Sequence, residues 1–185
     1  WRRSAVDGSL KQKAPDLSYS HDFRVTPLMV DGVLYSSNGI GLVEAFHPGT
    51  GKTIWVQQPY PDEKDGLRGA STRGLAYWSE GDARRILVVR GEYLIALDPS
   101  NGRPVASFGE NGRVNLRTGL GPRATNYSSS SGPHVCRDVV MVGAQMSDAP
   151  QTMEQPPGNV QAFDVRTGKP RWAFRVIPRP GEVGN

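Results

Sequence analysis

The sequence predicts an all-β protein, a β-propeller built of four-stranded antiparallel blades with tryptophan-bearing repeats, about three blades in extent. Three observations predict it. One hairpin grammar occurs three times: an alanine within a strand, a glycine six positions on at the turn, then a second strand. The copies are Ala45 to Gly51 to Trp55, Ala96 to Gly102, and Ala162 to Gly168 to Trp172. Recurrence of one hairpin at long intervals is the mark of a repeat architecture. With 22 Gly and 15 Pro in 185 residues, turns are dense, which favours short strands over long helices. Finally, Asp31-Gly32 separates two β-rich runs, and such a pair suits a turn whose central positions both need positive φ.

Taken in order, residues 1–21 read as a strand remnant and a polar connection, and Trp1 as the start of a processed or truncated chain. Phe23–Val30, Val33–Ser37, Val43–His47 and Lys52–Gln57 complete the first set of four strands. After a charged, Gly-containing loop, Arg73–Trp78, Arg84–Val89, Tyr93–Asp98 and Pro104–Phe108 form the second. In that copy the tryptophan is replaced by something near Ala106 or Phe108. Residues 109–127 are irregular and long, a length usually associated with function. The third set runs from Gly132 through Cys136, turns at Arg137-Asp138, continues over Val139–Gly143, and closes with the Ala162–Trp172 hairpin after an insertion at 146–157. The expected blades are 1–57, 58–127 and 128–176, with 177–185 leading onward. Three blades do not close a ring, and bare sheet edges invite aggregation, so the expectation is an arc of a larger propeller.

Packing explains the repeated residues. The alanines allow neighbouring sheets to approach to roughly 10 Å. Gly51, Gly102 and Gly168 suit the left-handed turn position, and Trp55 and Trp172 offer flat faces to the next blade. Cys136, the only cysteine, excludes an internal disulfide and reads as a buried thiol in an apolar strand. The formal charge of +4 is spread among acids without an aromatic-interleaved basic stripe, so no nucleic-acid partner is expected. No apolar run reaches membrane-spanning length. His21, His47 and His134 are scattered and form no Ser-His-Asp constellation.

Three further segments narrow the reading: Phe23-Arg24-Val25-Thr26-Pro27-Leu28-Met29-Val30-Asp31-Gly32, Arg73-Gly74-Leu75-Ala76-Tyr77-Trp78 and Pro178-Arg179-Pro180-Gly181-Glu182-Val183-Gly184-Asn185. In order, and with the Trp-ended repeats, they resemble the pyrroloquinoline-quinone (PQQ) dependent quinoprotein dehydrogenases of the alcohol and membrane-bound glucose dehydrogenase type. The resemblance covers nearly the whole chain and implies the N-terminal portion of an eight-bladed ring. It implies PQQ on the ring axis beside Ca²⁺ or a lanthanide, and a periplasmic enzyme oxidising an alcohol, sugar or polyol. Electrons would pass to a cytochrome or ubiquinone.

Residue by residue, the resemblance carries Arg73 to a cofactor contact, where a planar guanidinium suits a carboxylate or quinone oxygen. Ser130 falls where a hydroxyl bonds a PQQ carboxylate, and Asp148 where an acid ligates the metal with hard oxygen. Arg24 stands where many members carry an acidic cofactor contact and is itself suited to pair with a PQQ carboxylate. Other positions depart from the family. Leu67 and Arg68 replace adjacent cysteines, Gly69 a histidine of the glucose dehydrogenase branch, and Gln145 a hydroxyl residue. The catalytic base and the tryptophan floor beneath PQQ are expected after Asn185. The same repeats also suit a non-catalytic propeller that binds proteins as a periplasmic scaffold.

Overall fold

A computed structural model describes residues 1–6, 8, 24–63, 73–121, 124, 127–129, 131–150, 157–178 and 180–182. The strands are β1 (Leu28–Val30), β2 (Val33–Ser37), β3 (Val43–Phe46), β4 (Thr53–Val56), β5 (Ala76–Glu80), β6 (Ala83–Arg90), β7 (Tyr93–Leu97), β8 (Arg113–Asn115), β9 (His134–Cys136), β10 (Val139–Gly143), β11 (Val160–Asp164) and β12 (Pro170–Phe174). They form three four-stranded antiparallel sheets, each paired in chain order, as the propeller reading expects. The β1–β2 turn has the predicted geometry, with φ of 48° at Asp31 and 77° at Gly32.

Strand alternation builds the packing between sheets. In β6, Ile86 and Val88 face the first sheet with Tyr35, Val43, Ala45 and Trp55. Leu87 and Val89 face the third, with Val140, Val142 and Phe163. A sheet buried on both faces needs a continuous apolar run, and Ile86–Val89 supplies it. Ala45, Ala96 and Ala162 are all at most 1% exposed, so they occupy tight inter-sheet or hairpin positions.

The repeated turns seat aromatic rings from the preceding segment. Gly51 and Gly102 have φ of 69° and 71°. A Cβ on Gly51 would lie 2.7 Å from the Trp1 ring, and one on Gly102 would lie 2.4 Å from Trp55. Each indole Nε1 donates to the carbonyl three residues before its glycine: Trp1 to Pro48 at 2.7 Å, Trp55 to Pro99 at 2.8 Å. The third turn differs. Gly168 has φ of 72° but meets Val114 instead of an indole. The equivalent carbonyl, Val165, accepts from Arg85 Nη1 at 3.1 Å, so a buried arginine takes over the missing indole donor. Trp172 pairs across the strand with Ala162, as Trp55 does with Ala45. It remains 47% exposed, because no described sheet covers the far side of β12.

Three expectations are corrected. The fourth strand of the second sheet is Arg113–Asn115, whereas Pro104 makes only an isolated bridge to Leu97. Ala96 explains this: its carbonyl accepts from Val105 N and its N–H donates to Gly112 O, both at 2.9 Å. Both ladder groups are thereby satisfied, and residues 106–111 form a bulge between the two contacts, with Phe108 turned into the core. Cys136 is exposed, not buried. Alternation along β9 turns Val135 toward the core and leaves His134 and Cys136 on the other face. At the start of the chain, residues 1–4 form no strand. Arg3 instead fixes them, donating to Glu44 Oε2 at 2.7 Å beneath the first sheet.

The third turn carries a pH-dependent element. Burial raises the Asp164 pKa, but hydrogen bonds from Arg171, from Thr167 and from the Arg166 N–H outweigh it, leaving a pKa of about 2 against an ordinary 3.8. A depressed carboxylate pKa adds stability that is fully present above the unfolded value and lost as pH falls through the folded one. With Arg171 half-exposed, that contribution is on the order of 1–2 kcal/mol. Asp164→Asn is expected to lower urea stability at pH 6 by this amount and to flatten its loss between about pH 4 and pH 2. Parallel pH profiles for the two proteins would expose a different origin for the acid sensitivity.

Candidate functional site

An up-and-down sheet sorts its connections by end. The short turns at 31–32, 81–82 and 137–138 lie at one end. Residues 24–27, 73–75 and 131–133 before β1, β5 and β9, together with 144–150 and 157–159 between β10 and β11, lie at the other.

Their meeting point is specific. Thr26, Gly74 and Gly132 each stand two residues before the first strand of their sheet. Thr26 and Gly74 form a parallel bridge, and Thr26 N donates to Arg73 O at 3.3 Å. A Cβ on Gly132 would lie 3.2 Å from the Gly74 backbone, so glycine permits that approach. β5 also packs on β9. The first strand of each sheet is therefore innermost, and the residues just before it converge around one axis.

Two of the predicted cofactor residues stand shortly before the innermost strands. Arg24 precedes β1 by four residues and Arg73 precedes β5 by three. Both are exposed at the converging ends. Ser130 would precede β9 by four, but it lies outside the described residues, as do Leu67, Arg68 and Gly69. The serine run around it is anchored: Ser129 Oγ donates to Gly143 O at 2.8 Å, and Gln145 N donates to Ser128 O at 2.8 Å. These bonds tie the segment before β9 to the segment after β10, where Asp148 follows with an exposed carboxylate. Among the described residues, no three His, Cys, Asp or Glu side chains converge as a metal site. His47 Nδ1 accepts from Gly49 N and Thr50 N at the opposite turn, away from this face.

Two features of this face had no sequence signal. The convergence of Gly74 on Gly132 joins residues far apart in the chain. The other is a buried network joining residues 57–63 to Arg90 of β6. Arg90, only 5% exposed, donates through Nη2 to Glu63 at 2.6 Å and through Nη1 to Gln57 Oε1 at 3.0 Å. Gln57 Oε1 also accepts from Val43 N at 3.1 Å. This cation fixes residues 57–63 to the first two sheets. Beside it Tyr60 is pushed up to about 12, chiefly by burial.

Comparison with known proteins gives consistent results. The family model described as PQQ: glucose/ethanol/alcohol dehydrogenase, β-propeller domain, matches residues 1–184. The dehydrogenase subunit of the quinone alcohol dehydrogenase of Gluconacetobacter polyoxogenes is 29% identical over 171 residues, 89% of this chain and 21% of that protein. The quinoprotein glucose dehydrogenase of Gluconobacter oxydans is 28% identical over 176 residues, 85% of this chain and 22% of that protein. The solved quinohemoprotein alcohol dehydrogenase of Comamonas testosteroni superposes with a TM-score of 0.63 at 24% identity, covering 85% of this chain and 22% of that one. That likeness shows the shared fold. The chain thus spans about a fifth of the length of these relatives.

Proposed function

Since the chain belongs to the PQQ β-propeller family of glucose, ethanol and alcohol dehydrogenases, we propose that the whole protein is a quinoprotein dehydrogenase and that this chain is one arc of its cofactor-holding ring. The observation that carries the reading is that Arg24 and Arg73 both stand within four residues of the innermost strands of adjoining sheets, beside the Thr26–Gly74 bridge.

The residues present fit a flat polycarboxylate. Exposed guanidiniums on converging backbone supply charge-assisted donors for carboxylates. Gly74 and Gly132 keep Cβ atoms out of the axial junction, leaving backbone at close approach. Ser130, next to the anchored Ser129, is proposed as a hydroxyl donor, and Asp148 as one oxygen ligand for Ca²⁺ or a lanthanide. When bound, PQQ and its cation supply two-electron carbonyl chemistry for oxidising an alcohol, sugar or polyol.

The chain's own work is binding and orientation. Arg73 is held by its backbone carbonyl to Thr26, so its guanidinium starts from a fixed point. Arg90 and Glu63 secure residues 57–63 against the second sheet. No described residue is placed here as a general base, and that role is proposed for residues outside this chain. The compartment proposed is the periplasm, with a cytochrome or ubiquinone as electron acceptor.

Reconstitution tests the reading. The whole protein, supplied with PQQ and either Ca²⁺ or La³⁺, is expected to reduce an artificial dye with at least one member of an alcohol, sugar and polyol panel. Background dye reduction with every substrate and both metals would favour the protein-binding scaffold instead.

A further inference from the structure

β9 and β10 are paired as far as His134 opposite Met141. Ser128 and Ser129 lie outside β9 yet stay joined to the end of β10. Ser129 Oγ donates to Gly143 O at 2.8 Å, and Gln145 N donates to Ser128 O at 2.8 Å. A regular ladder continued from His134 opposite Met141 would set Gln145 opposite position 130, but its N–H meets Ser128 O instead. The chain takes six positions from Ser128 to His134 against four from Met141 to Gln145, an excess that interrupts the backbone ladder. The Ser129 side chain supplies a tie across that interruption.

The hydroxyl is half-buried, and its oxygen also lies 3.2 Å from Ser131 O, within its own segment. A serine hydroxyl carries one proton. With that proton directed at Gly143 O, Ser129 has none to give a carboxylate, so its role is to place its neighbours. On the far side of the tie the chain leads to Asp148. Ala144 N donates to Asn159 O at 3.0 Å, joining the residue after β10 to the residue before β11. A Cβ on Gly158 would lie 2.5 Å from Met146 Sδ, so glycine leaves room for that side chain. Ser147 Oγ accepts from Ala149 N at 3.3 Å, closing a short turn with Asp148 at its centre.

We propose that Ser129 is a positioning residue that couples the two halves of the site. Its hydroxyl holds the segment bearing Ser130 and the segment bearing Asp148 in one register, so that quinone and cation raise each other's affinity. This rests on the quinone reading above. Without the tie each ligand must order its own side of the site, which subtracts from its binding. Linkage makes the effect reciprocal: a cation that strengthens PQQ binding is itself bound more tightly when PQQ is present.

Equilibrium dialysis of the whole protein against PQQ, with no added metal, with Ca²⁺ and with La³⁺, tests this on the native protein, Ser129→Ala and Ser129→Thr. The better of the two metals is expected to strengthen PQQ binding to the native protein. In Ser129→Ala, PQQ affinity with that metal is expected to fall roughly 3- to 10-fold, the range for loss of one neutral hydrogen bond, and the metal's strengthening to shrink by the same factor. Ser129→Thr returns the hydroxyl and is expected to stay within about two-fold of native in both quantities. A merely structural role would lower the thermal midpoint of the ligand-free protein and leave the metal's effect on PQQ unchanged. If Ser129→Ala melts early, Ser129→Cys fills the same space with a weak donor and is expected to show the same loss. A native protein that binds no PQQ would remove the quinone reading and this coupling with it. PQQ binding that neither metal strengthens, an undiminished metal effect in Ser129→Ala, or a threonine variant as weak as the alanine one would overturn the coupling alone.

Discussion

Trp55→Ala is expected to lower the unfolding free energy by roughly 3–5 kcal/mol, the largest loss for any single change between the first two sheets. The ring is only 9% exposed, belongs to the core shared by those sheets, and lies against the Gly102 turn. Truncation removes that packing and leaves Pro99 O without its indole donor, though Tyr35 Oη still donates to it at 3.3 Å. Trp55→Phe separates the two effects. It keeps most of the ring and loses the N–H, so about 1 kcal/mol is expected. Gly102→Ala attacks the same contact from the other side: its Cβ would lie 2.4 Å from the ring, at a φ of 71° that disfavours a side chain. Chemical denaturation of the three variants gives the comparison. A loss below about 1 kcal/mol for Trp55→Ala would mean that this junction contributes little to joining the sheets.

Arg73→Leu is expected to behave in the opposite manner, with stability nearly unchanged and function strongly reduced. The side chain is exposed, and the contact holding the segment is made by the Arg73 carbonyl, which the substitution retains. Surface changes of this kind usually stay within about 0.5 kcal/mol. Loss of a charge-assisted hydrogen bond to a carboxylate costs about 1.5–3 kcal/mol, which corresponds to PQQ binding roughly 10- to 100-fold weaker. Arg73→Lys should restore part of the affinity, because it returns the charge without the planar fork. A variant that loses stability while keeping its quinone affinity would instead make Arg73 a structural residue.

The parts of the fold that were legible in the sequence are those whose cause is local. Asp31-Gly32 announces its turn because both φ values must be positive there. Ala45, Gly51 and Trp55 announce a hairpin because each has its own steric task in it. Long-range causes were less visible. The strand expected at Pro104–Phe108 is displaced to Arg113–Asn115 by the way Ala96 divides its two hydrogen bonds between Val105 and Gly112. Cys136 looked buried because its neighbours are apolar, but the short β9 has only one core-facing side. Arg85 reads as an ordinary strand residue until the third turn places Val165 O beside it.

The site divides along the same line. Arg24 and Arg73 were singled out through motifs, and their nearness to the first strands of adjoining sheets required the fold to be seen. Gly74 and Gly132 were absent from the expected site because glycine has no side-chain chemistry to advertise, and their contribution is the space they leave.

The entry ends of the innermost strands are proposed as part of a quinone-binding axis. Equilibrium dialysis of the whole protein against PQQ with Ca²⁺ or La³⁺ measures this directly, with Arg73→Leu run in parallel. One PQQ bound per protein chain is expected with at least one of the metals, with an affinity reduced roughly 10- to 100-fold in the variant. No saturable PQQ binding with either metal, or equal affinity in the native protein and Arg73→Leu, would contradict it.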